Sequence, residues 1–174
     1  MKITISKLKL GIIGREGVKS FTADIMLNGK KVADCREDGN GGCLSIYPIS
    51  GGYWKDSILG QMDTWCKANL PKWEAFDGDM VETDLEMHIS NLVSNVETEK
   101  TLARDMKKGI CFKTKLSKNK NVAYDRIAWK GVNIEQMLSV PRDAALLQKT
   151  ILEIQSKGDK ILNTNFGKLQ YLVK

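Results

Sequence analysis

The chain has one histidine, three prolines and four cysteines in 174 residues, and only 7% of it is aromatic. Each shortage excludes something. With His88 as its sole imidazole, any Ser–His or Cys–His dyad must be built on that one residue. Cys35, Cys43, Cys66 and Cys111 lack C-x2-C spacing and the density of a secreted disulfide scaffold. The thiols are therefore read as reduced and no metal site is expected. No apolar run approaches the roughly 18 residues of a membrane helix, and Met1-Lys2-Ile3-Thr4-Ile5 lacks the charged-then-apolar layout of a signal peptide. The expectation is a soluble cytoplasmic chain with no cofactor and no membrane partner. Its length and its 42% hydrophobic content suit a single domain over residues 1–174.

What the chain does have is charge, unevenly spread. Residues 1–50 carry 8 basic and 5 acidic side chains, residues 51–100 carry 4 and 10, and residues 101–174 carry 15 and 6. The net charge of +6 is thus a surplus near the carboxy terminus set against a negative middle segment. A surface of that kind attracts anions if folding keeps its lysines together.

Ile3, Ile5, Leu8 and Leu10 predict a first strand, and residues 11–17 a loop. Residues 21–27 form a second strand, and Asn28-Gly29 is the signal of a type I′ hairpin returning over residues 30–36. After Gly39-Asn40-Gly41-Gly42, alternating Leu44 and Ile46 add another strand to this meander. Ile58, Leu59, Met62, Trp65, Cys66 and Leu70 recur at helical spacing, with Asp56 placed as a first-turn acid. Residues 72–80 read as a connector that packs its aromatics on the core. A longer helix starts at a Thr83 cap with Glu86 at its third position, carries His88 on its apolar stripe and stops at Lys107-Lys108-Gly109.

Residues 110–116 and 122–129 predict a second hairpin with a basic tip. Asn133 opens a short helix, and Ser139-Val140-Pro141 starts another along Ala144, Leu147, Ile151 and Ile154, widened by Ala145, Leu146 and Leu152. Residues 169–173 suit a last edge strand. The fold class is α+β, with antiparallel sheet from the meander and the second hairpin packed against two or three amphipathic helices.

Two segments are candidates for anion binding. Gly39, Asn40, Gly41 and Gly42 form a turn whose successive N–H groups suit a nest, although the cluster leads into a strand and so matches neither a dinucleotide fingerprint nor a P-loop. Around the second hairpin stand Lys113, Lys115, Lys118, Lys120 and Arg126, interleaved with Phe112, Tyr124 and Trp129, the residue types that neutralise phosphates and stack on bases. The carboxylates Asp77, Asp79, Glu82, Asp84 and Glu86 give the alternative of a hydrolase, against which stands their ordinary role at the start of a helix.

The order of Asn28-Gly29-Lys30-Lys31-Val32, Asp38-Gly39-Asn40-Gly41-Gly42, Lys107-Lys108-Gly109-Ile110-Cys111-Phe112 and Ile161-Leu162-Asn163 resembles a set of small, mostly uncharacterised phage and mobile-element proteins. The resemblance implies a phage or prophage origin and a non-enzymatic binder that antagonises host defence or regulates replication. It assigns no residue a role. The expectation is a small non-catalytic binding protein whose anionic partner is nucleic acid, a nucleotide or a host-defence protein.

Overall fold

Asn28 and Gly29 take φ of 49° and 84°, the two positive values a type I′ turn requires, and the strands they join set the register of the first sheet. A computed structural model of the chain describes residues 1–52, 56–75, 78–114 and 124–173. The protein is an α+β structure whose contacts fall into two compact units, Met1–Asn95 and Val96–Lys174.

In the first unit, β1 (Ile3–Ile13), β2 (Lys19–Leu27), β3 (Lys30–Glu37) and β4 (Ser45–Pro48) form an antiparallel meander in that order. Phe21, Ala23 and Ile25 alternate onto the buried face, as do Ala33 and Cys35 opposite them. They share a core with Leu59, Met62 and Cys66 of α1 (Ile58–Asn69) and with Leu85, Ile89 and Val93 of α2 (Leu85–Lys108). Two short strands, β5 (Trp73–Glu74) and β6 (Met80–Val81), pair between these helices in sequence.

The second unit is built on β7 (Gly109–Lys113), flanked by β8 (Asp125–Ala128) and β9 (Lys160–Ile161), both antiparallel to it. The second hairpin therefore lies in its own sheet, separate from the meander. Ile110 and Ile161 share a second core with Ile134 and Met137 of α3 (Ile134–Ser139), with Leu147, Ile151 and Ile154 of α4 (Pro141–Ser156), and with Phe166. Asn133 opens α3, as the sequence predicts, and the structure adds a reciprocal cap with Gln136.

Several local expectations are corrected. The loop expected over residues 11–17 is shorter, because β1 continues to Ile13 opposite Lys19 and the Gly14 N–H donates to the Val18 carbonyl at 2.8 Å. Ser57, not Asp56, shapes the start of α1, its hydroxyl accepting from the Gly60 N–H at 3.1 Å. The Thr83 hydroxyl donates to the Pro71 carbonyl at 2.6 Å, leaving the Asp84 carboxylate to accept from the Met87 N–H at 2.8 Å and cap α2. Trp73 is exposed rather than packed on the core; Phe76 lies outside the described residues. Gly109 opens β7 rather than a left-handed helix stop, and a Cβ there would overlap the Ile127 carbonyl oxygen. Ser139 turns its hydroxyl to the Gln136 carbonyl, so α4 begins without a side-chain cap. Ala145, Leu146 and Leu152 face solvent, since one stripe of α4 suffices to cover the core. The expected final strand is a 3-10 segment, Gly167–Leu172, tied by the Gln170 side chain to the Phe166 N–H and the Asn163 carbonyl.

Candidate anion-binding surface

In the second unit the register places Lys113 of β7 directly opposite Lys160 of β9. Both side chains are exposed, and neither has a carboxylate within 4 Å among the described residues. Like charges facing each other across strands destabilise a sheet, so this pair is a local cost that a bound anion would relieve. One strand over, Arg126 sits opposite Cys111 and is held differently. Its guanidinium lies 2.7 Å from Asp105 of α2, which also accepts from the Tyr124 hydroxyl at 3.0 Å. Burial, together with donation to Asp105, pushes the Tyr124 phenol up from its ordinary value. Arg126 and Tyr124 are thus tied down by one carboxylate, whereas Lys113 and Lys160 are not.

The aromatic residues near this strand are only half exposed, and Phe112 and Trp129 pack against the second core. They are not a stacking platform. Lys115, Lys118 and Lys120 lie outside the described residues. Lys160 was not visible in the sequence as part of this site, because its pairing with Lys113 spans all of α3 and α4, and the local run Lys157-Gly158-Asp159-Lys160 mixes both signs of charge.

The glycine turn belongs to the first unit and has acidic surroundings. The Gly39 N–H donates to the Glu37 carboxylate at 2.9 Å, and the Asn40 N–H to the Asp38 carboxylate at 2.9 Å. That Asn40 N–H holds the Asp38 carboxyl below its usual range. Gly41 and Gly42 line an open cavity of about 640 Å³ with Glu37, Asp84 and Glu86. Burial, and then the Asp84 charge, push the Glu86 carboxyl up, while the Leu44 N–H bond pulls it down. Two of the turn's donors already serve carboxylates, and the cavity beside it carries negative charge. The turn packs closely on Gly14, where a Cβ would overlap the Gly39 carbonyl oxygen, and Gly39 itself takes a positive φ of 87°.

The chain matches no protein-family model, no curated protein and no solved structure.

Several other candidate groups among the described residues are engaged in the fold. Of the acids proposed for hydrolysis, Asp77 lies outside the described residues, Glu82 is 3.7 Å from Lys72 and Asp84 caps α2. His88 is half-buried, and burial lowers its imidazole below the ordinary value, which favours the neutral ring. No group of three His, Cys, Asp or Glu residues among the described residues is arranged to hold a metal. All four cysteines are free; burial pushes the thiols of Cys35, Cys66 and Cys111 up to about 11, and Cys43 is exposed. Among the described residues no helix is long and apolar enough to cross a membrane.

Proposed function

We propose that the protein is a non-catalytic binder of a polyanion, nucleic acid, through the basic edge of its second sheet. The observation that carries the reading is the opposed pair Lys113 and Lys160, exposed and without carboxylate partners among the described residues. Lys115, Lys118 and Lys120 follow Lys113 in the chain, and the second unit has 16 basic and 8 acidic residues. Two opposed cations on adjacent strands, followed in sequence by three more lysines, suit a phosphodiester backbone better than a single nucleotide. A cavity of about 480 Å³ at Lys160 is lined by that one cation and by Asp159. An origin in a phage or mobile element belongs to this proposal and rests on the resemblance of motifs.

The test is titration of a labelled oligonucleotide at several salt concentrations, with wild type and the double variant Lys113→Glu, Lys160→Glu. Each lost phosphate contact reduces the slope of log K against log salt by roughly 0.7–0.9. The double variant should therefore bind at least about tenfold more weakly, ~1.4 kcal/mol, with a shallower slope. Unchanged binding rejects the site. Saturable binding of a mononucleotide at this pair with little salt dependence, or a stoichiometric host-protein complex that survives nuclease and needs both lysines, replaces nucleic acid as the partner.

A further inference from the structure

The first sheet has a second face. Because Phe21, Ala23 and Ile25 point into the core, Ser20, Thr22 and Asp24 point away from it, and so do Asp34 and Arg36 on β3. Lys9, Thr22 and Arg36 are register neighbours across β1, β2 and β3, which puts the two cations about 10 Å apart at the backbone with the Thr22 hydroxyl between them. Two adjoining concavities, about 430 Å³ and about 310 Å³, both include these three residues in their walls. Gly11 and Ser20 also line the larger one, where a Cβ on Gly11 would overlap the Ser20 hydroxyl. Tyr47, 57% exposed, stands in the smaller one.

The charges on this face separate into two sets. Asp24 is bound by Lys7 at 3.2 Å and by Lys31 at 2.9 Å, and Lys31 also binds Asp34 at 2.7 Å. Those two lysines and two aspartates cancel. Lys9 and Arg36 are left with no carboxylate within 4 Å among the described residues. Glu37 and Asp38 also line the larger hollow; the Glu37 carboxylate accepts the Gly39 N–H and the Asp38 carboxylate the Asn40 N–H, and Asp38 also feels the Arg36 charge. A planar guanidinium that grips two oxygens, an ammonium on the far side and a hydroxyl donor between them are the components of a phosphate seat. An exposed phenol ring in the adjoining hollow offers a face to a base.

We propose that Lys9, Thr22 and Arg36 hold the phosphate of a nucleoside phosphate on the open face of the first sheet, with its base against Tyr47. The same chemistry comes from a free nucleotide or from one residue of a single strand. The site is independent of the Lys113 and Lys160 pair, and its test is run on the full chain carrying Lys113→Glu and Lys160→Glu as well as on wild type.

Backbone amide resonances are followed while inorganic phosphate, adenosine monophosphate and a short oligodeoxyadenylate are added in turn. Saturable shifts centred on Lys9, Thr22 and Arg36 are expected with the mononucleotide, which binds several-fold more tightly than inorganic phosphate. Arg36→Gln should weaken it at least tenfold, and Tyr47→Ala should bring it level with phosphate. Asp38→Asn, which keeps the turn's acceptor, should tighten it a few-fold. Shifts at these residues with the oligonucleotide alone, lost in Arg36→Gln, identify the polymer as the source. Absence of shifts there with all three probes at millimolar concentration, or binding indifferent to Arg36→Gln in a variant with a native spectrum, overturns the proposal.

Discussion

Asn163 is 1% exposed and uses its whole amide. Its Oδ1 accepts from the Cys111 N–H at 2.6 Å, and its Nδ2 donates to the carbonyls of Met106 and Gly109 and to Asn165 Oδ1. Replacing it with Leu strands a buried donor and a buried acceptor on β7, so Asn163→Leu should lower stability by about 3 kcal/mol in chemical denaturation. Asn163→Asp keeps the acceptor but turns a carboxylate oxygen toward two carbonyls, and should be damaging despite its shape. Lys160 behaves in the opposite sense. Lys160→Glu puts opposite charges across from each other at Lys113, so stability should rise by ~0.2–1 kcal/mol while oligonucleotide affinity falls. A loss of both in that variant would contradict the proposed site. Asp24 carries a pH dependence, because its bond to Lys31, and then that to Lys7, hold its carboxyl below the ordinary range. A carboxyl depressed in the folded state contributes stability that is complete above its unfolded value of about 3.9 and is lost as pH falls through the lower folded value. Asp24→Asn should therefore be less stable than wild type at neutral pH, and melting curves should show that difference closing in acid below about pH 4.

Elements defined by neighbours in sequence were the ones readable in advance. The Asn28-Gly29 turn is a two-residue device whose positive φ values require those residue types, and Gly29→Ala should cost about 1 kcal/mol or more in thermal melts. The stripes of α1 and α4 and the Asn133 cap are equally local. Boundaries set by distant partners were not readable. Thr83 is the better-looking cap by spacing, but its hydroxyl is taken by Pro71, and Asp63 accepts the Leu85 N–H across 22 residues. Residues 169–173 have strand-like composition, yet burying Phe166 and bonding Gln170 to Asn163 curl them into a 3-10 turn. The candidate site divides the same way. Lys113 and Arg126 could be picked from the basic hairpin, whereas the partners that distinguish them, Lys160 and Asp105, come from elements far away in sequence. On the first sheet, Lys9 and Arg36 are 27 positions apart and become neighbours only through the register of β2.

Divided by compact unit, the charge is slightly negative in the first and strongly positive in the second. Met1–Asn95 holds 11 basic and 13 acidic residues, net −2, and Val96–Lys174 holds 16 and 8, net +8. Such a division acts on a polyanion in two regimes. Lys130 lies just past β8, whose Ala128 pairs with Gly109, four residues along β7 from Lys113, or about 13 Å of strand. That exceeds the screening length of ~8 Å at 0.15 M salt and falls well inside the ~30 Å at 0.01 M. Lys130→Glu should therefore slow oligonucleotide association several-fold in stopped-flow at 0.01 M, through the field that steers encounter. At 0.15 M its affinity should stay within about twofold of wild type, while Lys113→Glu remains impaired in both buffers. If Lys130→Glu costs as much as Lys113→Glu at 0.15 M, the contact surface extends along β8, and the strand pair at Lys113 and Lys160 is not its centre.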